Sequence, residues 1–148
     1  MDIKVINIET GPDPLHRNEL IARFLFQNLD EFGDKEEHIL KAIEYVFNPN
    51  RGGVIILSLD KMEINGAVVI NETGMGGYIP ENILVYIAVH SKQRGKGLGK
   101  QLMKKAIENA KGDIALHVEP ENPARYLYEK IGFTNKYLEM RFIKTNGN

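Results

Sequence analysis

Residues 83–100 carry the strongest structural signal in the chain, and they read Ile-Leu-Val-Tyr-Ile-Ala-Val-His-Ser-Lys-Gln-Arg-Gly-Lys-Gly-Leu-Gly-Lys. The first seven residues form a continuous apolar run, which is typical of a central strand covered on both faces. Glycine then alternates with other residues, and an amphipathic stretch begins at Leu98. The sequence therefore predicts a strand that leads through a glycine-rich turn into a helix.

The glycine-rich turn has the composition of an anion-binding loop. Backbone N–H groups at a helix N-terminus favour a bound anion, most commonly a phosphate. Gly95, Gly97 and Gly99 allow positive φ and a close approach of backbone to ligand. Arg94 and Lys96 add two cations to the same turn. A tight turn without a ligand is the simpler alternative, but one glycine would usually suffice for a helix start.

The spacing of the glycines argues against two common nucleotide-binding loops. A Walker A loop needs a glycine five residues before its Gly-Lys pair and a Ser or Thr after it. Here Arg94 occupies the first position and Gln101 follows Lys100. A dinucleotide fingerprint needs its third glycine three residues after the second, whereas these glycines alternate. A phosphate loop of a third kind is therefore indicated.

The overall composition indicates a single globular domain over residues 1–148. The chain is 43% hydrophobic and 26% charged, with a formal net charge of -1, so non-specific binding to nucleic acid is not expected. It has no cysteine, which excludes disulfides, thiolate metal sites and a cysteine acyl-enzyme, and no metal site is predicted. No apolar run reaches the roughly 20 residues of a membrane span. The first residues lack the apolar core of a signal peptide, so we expect a cytoplasmic protein without a membrane partner.

Hydrophobic periodicity predicts six strands and four helices in the order β, α, α, β, β, β, α, β, α, β. The predicted strands are 3–8, 54–59, 64–70, 83–89, 114–118 and 137–142. Asp13 is expected to cap the first helix, and Asp34 with Glu37 to form a capping box at the second. The helix from Leu98 should join two parallel strands by a right-handed crossover.

Two segments together resemble signatures of the GNAT acetyltransferase superfamily. Residues 94–99 match its acetyl-CoA loop, Arg/Gln-x-x-Gly-x-Gly/Ala, and residues 87–89 resemble the end of its fourth strand. Asn122, Ala124 and residues 127–133, Leu-Tyr-Glu-Lys-Ile-Gly-Phe, resemble its second signature. The resemblance implies a mixed α+β fold of the GNAT type. Its one central sheet is mixed and mostly antiparallel, splayed between strands four and five, and flanked by about four helices.

The resemblance also implies acetyl-CoA as the co-substrate. The pantetheine arm would pair with the backbone near Ile87 and Val89. The thioester carbonyl would lie near the N–H of Ile87 or Ala88, which would stabilise an oxyanion. The pyrophosphate would lie on the N–H groups from Gly95 to Lys100. The implied cofactor-binding residues are Ile87, Ala88, Val89, Arg94, Gly95, Lys96, Gly97, Leu98, Gly99, Lys100, Asn122 and Arg125. Asn122 has an alternative role as a helix cap.

Tyr128 corresponds to the usual general acid of this family, which protonates the leaving thiolate. Its alternative role is to pack its ring in the core with the hydroxyl at the surface. The absence of cysteine favours direct attack by the acceptor in a ternary complex over a covalent enzyme intermediate.

The general base is less well defined by the resemblance. Ile83 stands where some relatives carry a carboxylate, and Glu81 lies near enough to act through water. His117 matches a carboxylate on the fifth strand of the ribosomal-protein N-terminal acetyltransferases, and histidine as a residue type suits a base at neutral pH. A one-residue slip would turn His117 to the opposite face, so a merely structural role stays open. Glu119 and Tyr86 are further candidates.

The acceptor implied by the family is a primary amine, on a small molecule or a peptide. The first two helices and residues 73–80 would shape its site, where several acidic residues could favour a cation. A homodimer is a further expectation, because relatives often pair through their C-terminal strands. The alternative from another class is a CoA-binding sensor or regulatory module without catalysis, which would keep the glycine loop and lose the acid–base groups.

Overall fold

The computed structural model describes residues 1–145 of the chain. Its strands are β1 (Asp2–Ile6), β2 (Gly53–Asp60), β3 (Glu63–Glu72), β4 (Asn82–Val89) and β5 (Ile114–Leu116). Its helices are α1 (Asn18–Asn28), α2 (Glu36–Val46), α3 (Leu98–Asn109) and α4 (Ala124–Ile131), with short 3-10 helices at Asp30–Phe32 and Ser91–Gln93. The chain divides into two compact units, Met1–Leu116 and His117–Asn148. The single domain over 1–148 stays a prediction.

The first unit contains one mixed sheet in the strand order β1-β2-β3-β4-β5. Neighbours from β1 to β4 are antiparallel, and β5 runs parallel to β4. Such a parallel pair requires a long connection, which α3 supplies. The mixed, mostly antiparallel sheet with four helices confirms the predicted fold class.

Helices cover both faces of this sheet. One face carries α1 and α2, whose apolar side chains form a buried cluster with inward-facing residues of β2, β3 and β4. On the other face α3 approaches closely, because a Cβ at Gly66 would lie 2.7 Å from the Leu102 side chain. The apolar run of residues 83–89 is therefore central to the sheet, as its composition predicted.

The sheet opens between β4 and β5. Their ladder contains only three pairs and ends where Leu84 pairs with Leu116. At the same point the register between β3 and β4 shifts, since Ile70 pairs with Leu84 and Val69 with Tyr86. Val85 is therefore the extra residue of a β-bulge, which bends and twists a strand locally. The predicted splay between strands four and five is confirmed.

The starts of α1 and α2 differ from the predictions. The carboxylate of Asp13 binds Lys4 Nζ at 3.0 Å and the backbone N–H of His16 at 2.8 Å, so it stabilises a turn and the helix begins only at Asn18. Asp34 accepts a hydrogen bond from Tyr86 instead of capping, and α2 begins at Glu36 without a side-chain cap.

The predicted last strand, 137–142, is wrong. Residues 133–145 contain neither helix nor strand, and Leu138, Met140 and Phe142 are each more than 80% exposed. A strand requires a neighbouring ladder, and an alternating pattern alone does not supply one. No helix within residues 1–145 is long and apolar enough to cross a membrane.

Candidate functional site

The turn from Arg94 to Gly97 follows β4 and leads directly into α3. Gly95 and Gly97 adopt φ of +78° and +83°, a region that costs a side chain roughly 1–2 kcal/mol. Nothing lies within 4 Å of a Cβ placed on either glycine. Backbone conformation, rather than crowding by the protein, therefore selects glycine at both positions, and the space beside the loop is open.

The backbone donors of this loop are unpaired. The first hydrogen bond of α3 runs from the Gln101 N–H to the Gly97 carbonyl, at 3.1 Å. Within the described part of the chain, the six N–H groups from Gly95 to Lys100 donate to no protein acceptor. An α-helix leaves its first donors unpaired, and the loop adds more at the positive end of the helix dipole. The arrangement suits a multiply charged anion.

A surface hollow of about 330 Å³ lies beside the loop. It is lined by Met1, Gln93, Lys96, Leu98 and Gln101. The Oε1 atom of Gln93 is buried and has no hydrogen-bond partner among residues 1–145. A buried acceptor normally has a hydrogen-bond partner, so this one is an unsatisfied polar atom in a residue that lines the hollow.

Arg94 binds the protein itself. Its Nε donates to the Val89 carbonyl at 3.1 Å, and its Nη2 donates to the Asn28 carbonyl at 3.0 Å. Its Nη1 forms an ion pair with Asp30 at 3.2 Å. The guanidinium therefore joins the end of β4 to the end of α1. Lys96 and Lys100 are two further exposed cations of the loop.

Alternation along β4 divides its backbone groups between two edges. The His90 N–H donates to the Asn65 carbonyl, at 2.8 Å, and so points toward β3. Because N–H groups alternate between the edges of a strand, that of Ala88 faces β3 and those of Ile87 and Val89 face the opposite edge. There β5 no longer pairs with β4. Of the two N–H groups predicted to bind the thioester oxygen, this geometry favours that of Ile87.

Glu81 directly precedes β4, and its carboxylate is hydrogen-bonded to the backbone. It accepts from the Asp113 N–H at 2.7 Å, and a Cβ at Gly112 would lie 2.5 Å from it. Hydrogen bonds from the backbone of Asp113, of Glu81 itself and of Gly77 lower the pKa of this carboxyl. Ile87 is six residues along the strand, roughly 20 Å away. Both observations weigh against Glu81 as the base, and its role stays a prediction.

In the second unit, the polar residues of the second signature make local contacts. Asn122 Oδ1 accepts from the Ala124 N–H at 2.9 Å, which matches its alternative role as a cap of α4. Arg125 donates to the Pro120 carbonyl at 3.3 Å and lies 3.6 Å from Glu129. His117 lies just beyond β5, and its side chain is exposed. These contacts stabilise the start of α4, and the cofactor contacts of Asn122 and Arg125 stay predictions.

Tyr128 is the buried residue of α4, with 7% of its surface exposed. Its ring centroid lies 6.0 Å from that of Phe133 in a tilted arrangement. Its carbonyl accepts from the N–H groups of Gly132 and Phe133, which end the helix. Burial raises the pKa of the phenol to about 12. Tyr128 is therefore a neutral hydrogen-bond donor at physiological pH.

Sequence reasoning missed the pairing of Tyr86 with Asp34. The Tyr86 hydroxyl donates to Asp34 Oδ2 at 2.6 Å, although 52 residues separate them. Burial, then the hydrogen bond and charge of Asp34, raise the pKa of Tyr86 well above its usual value. A polar ring within the apolar run 83–89 was the available signal, but its partner lies in a distant connection that no local pattern identifies.

Residues 50–135 match the family model of the acetyltransferase (GNAT) domain. The matched range includes both the glycine loop and the second signature, and it spans more than half of the chain. No curated protein matches the chain significantly.

Several solved structures share the fold. A probable acetyltransferase superposes with a TM-score of 0.69 at 20% identity, covering 100% of this chain and 99% of that chain. An aminoglycoside acetyltransferase from an uncultured soil metagenomic sample gives 0.67 at 16% identity, with coverages of 97% and 98%. A ribosomal-protein-alanine N-acetyltransferase from Brucella melitensis biovar Abortus 2308 gives 0.62 at 18% identity, with coverages of 99% and 100%. These likenesses concern the fold.

Proposed function

The chain belongs to the GNAT acetyltransferase family, and from this premise we propose that it is an N-acetyltransferase. It transfers the acetyl group of acetyl-CoA to a primary amine, on a small molecule or a peptide, by direct attack in a ternary complex. The observation that carries the proposal is the row of six unpaired N–H groups from Gly95 to Lys100 at the start of α3.

The pyrophosphate of acetyl-CoA binds these N–H groups. Lys96 and Lys100 add positive charge beside it. The guanidinium of Arg94 does not bind the pyrophosphate, because it is held by Val89, Asn28 and Asp30.

The pantetheine arm lies along the open edge of β4, as an added strand does. The N–H of Ile87 faces that edge and donates to the thioester oxygen. The carbonyl of Val89 already accepts from Arg94, so one of its two lone pairs stays available to an amide of the arm. A fixed backbone donor of this kind stabilises the developing oxyanion without reorganisation.

The reaction forms a C–N bond and breaks a C–S bond. The neutral amine attacks the thioester carbon, and the Ile87 N–H stabilises the tetrahedral oxyanion. Collapse expels the CoA thiolate, to which the Tyr128 hydroxyl donates a hydrogen bond. The amine nitrogen gives its proton to a base, for which His117 has the stronger claim because Glu81 is occupied and distant.

The pKa values define what Tyr128 contributes. Proton transfer from a phenol of pKa about 12 to the thiolate of a thiol of pKa ~8.5 is uphill by roughly 5 kcal/mol. A hydrogen bond to the departing sulfur has no such barrier. Tyr128 therefore acts by hydrogen bonding, and the thiolate takes its proton from solvent or from the protonated base.

The proposal is tested by binding and turnover in parallel. Saturating acetyl-CoA should slow hydrogen exchange at the amides from Gly95 to Lys100. Changing Lys96 and Lys100 together to Gln should weaken binding, whereas Lys104→Gln, an exposed lysine further along α3, serves as the control. Undiminished exchange at saturating ligand would contradict the cofactor site.

Turnover is measured as thiol release and product mass with small amines, amino acids, aminoglycosides and peptides bearing free N-termini. An acetylated product identifies the acceptor class. Tight binding of acetyl-CoA without turnover of any amine would instead favour a non-catalytic CoA sensor or regulatory module.

A further inference from the structure

The connection between α1 and α2, residues 29–35, is held to the end of β4 and to the glycine loop. Arg94 reaches it from the loop, with hydrogen bonds to the Asn28 carbonyl at 3.0 Å and to Asp30 at 3.2 Å. Tyr86 reaches it from β4, with its 2.6 Å hydrogen bond to Asp34. All three contacts join residues more than 50 positions apart in the sequence.

Arg94 supplies a cation at the C-terminal end of α1, where α1 itself has none. The last turn of α1 contains no basic residue, and its carbonyls form the negative end of the helix dipole. The guanidinium brings a cation to that end and donates to the Asn28 carbonyl. Asp30 adopts φ of +54°, which is unfavourable for a residue other than glycine. The distant Arg94 therefore helps to hold the chain in a conformation that it would not adopt alone.

Tyr86 provides a more rigid contact. Its ring is only 9% exposed and packs in the apolar cluster beneath α1 and α2. Only its hydroxyl reaches the connection. Because the ring cannot move without disturbing the core, the position of Asp34 is tied to that of β4, one residue from the Ile87 N–H proposed to bind the thioester oxygen.

We infer that Arg94 and Tyr86 are positioning residues that fasten residues 29–35 to the donor side of the site, so that the binding of acetyl-CoA and of the acceptor amine is coupled. The inference rests on the proposed function and on the expectation from the sequence that the first two helices shape the acceptor site. Arg94 and Tyr86 orient the carboxylates of Asp30 and Asp34, whose negative charge favours a cationic amine bound beside them. Arg94 thus acts through Asp30 and Asn28 instead of contacting the pyrophosphate.

A double-mutant cycle distinguishes the two roles of Arg94. If Arg94 acts by fastening, Asp30→Asn reproduces part of the effect of Arg94→Gln, raising the amine KM about twofold to fivefold, the range of an exposed ion pair. The double variant then shows less than the sum of the single effects. If Arg94 binds pyrophosphate directly, Asp30→Asn leaves acetyl-CoA affinity unchanged or improves it, and the effects add. Arg94→Lys separates charge from geometry, because lysine cannot make three bonds in the fork of a guanidinium.

Hydrogen exchange provides a readout that needs no ligand. In the free protein, Arg94→Gln should speed exchange at the Leu29 and Phe32 amides, which close the end of α1 and the 3-10 helix. Lys92→Gln, an exposed change in the neighbouring segment, should not. Tyr86→Phe should raise the amine KM with kcat changed less than about twofold, the signature of a lost positioning contact.

The outcomes separate this inference from the proposed function. A wild-type protein that binds acetyl-CoA and shows additive effects in the cycle, with unchanged exchange at Leu29 and Phe32, overturns the inference alone. A wild-type protein that does not bind acetyl-CoA overturns both. Coupled effects together with faster exchange in the free variant support it.

Discussion

Among single side chains, Tyr128 has the most closely defined chemistry. Its phenol is buried beside Phe133, and its pKa is about 12. The sequence signature identified the residue, but its environment sets its role. A phenol this weakly acidic keeps its proton at neutral pH, which is why we propose that it acts as a hydrogen-bond donor.

Tyr128→Phe should lower kcat about 10- to 100-fold and leave the KM for acetyl-CoA nearly unchanged. The expected loss is that of a hydrogen bond to a charged atom, about 1.5–3 kcal/mol. Steady-state thiol release measures it. Tyr126→Phe, at a 62% exposed position on the same helix, is the matched control. An unchanged kcat for every acceptor would remove Tyr128 from the mechanism.

The same phenol should make the protein sensitive to alkali. A tyrosine of pKa ~10 in the unfolded chain and about 12 in the folded protein stabilises the fold below pH 10. That contribution is lost as the pH rises from 10 through 12, since the unfolded state then ionises first. Between pH 9 and pH 11, the unfolding free energy of the wild type should therefore fall by about 1 kcal/mol more than that of Tyr128→Phe. Denaturant unfolding at both pH values measures this, and an equal loss in both proteins would contradict it.

Among the helices and strands, the β4–loop–α3 unit combines two devices in a short stretch. The bulge at Val85 coincides with the end of the β4–β5 ladder, which leaves one edge of the strand open. The glycine turn then starts a helix with free donors. The unit therefore presents backbone groups of β4 and of α3 without any contribution from side chains.

Gly97→Ala should weaken acetyl-CoA binding about tenfold or more, because a Cβ disfavours the φ of +83° that orients the loop donors. Gly11→Ala is a matched control, with φ of +71° and equally open space around it. Both changes should lower the unfolding free energy by about 1 kcal/mol, but only the first should change the dissociation constant in calorimetry. Equal affinity in both variants would show that the loop conformation does not matter for binding.

Considered as a whole, the protein exposes an apolar stretch near its C-terminus. Tyr137, Leu138, Met140, Phe142 and Ile143 are each at least 75% exposed. Contiguous exposed apolar surface is typical of interaction sites. This stretch is where the predicted homodimer would form, in keeping with the expectation of pairing through C-terminal segments.

The protein should therefore self-associate through residues 137–143. The variant Leu138→Ser with Phe142→Ser should be monomeric at concentrations where the wild type is dimeric, as measured by light scattering. Ile107→Ser, an exposed apolar position on α3, is the control. A wild type that stays monomeric at all concentrations, or a double variant that still associates, would contradict the assignment.

Local pattern was enough for the features that depend on neighbouring residues. The strand 83–89 and the helix from Leu98 follow from apolar periodicity, and the family follows from two short signatures. The predictions for Asp13 and Asp34 failed, because each carboxylate found a partner outside its own helix. Residues 137–142 have the alternating pattern of a strand, but within the described part of the chain they form no strand.

The remaining features depend on residues distant in sequence. The roles of Arg94 in cofactor binding and of Glu81 as a base stay predictions. The sequence alone could not show that Arg94 pairs with Asp30 or that Glu81 accepts from the Asp113 N–H. The pairing of Tyr86 with Asp34 was equally invisible. Glycine spacing and apolar periodicity are local constraints on backbone conformation and burial, so the chain alone specified them. Hydrogen bonding and pKa depend on what surrounds a group in space, so they are decided only where the tertiary structure brings β4, the loop and the α1–α2 connection together.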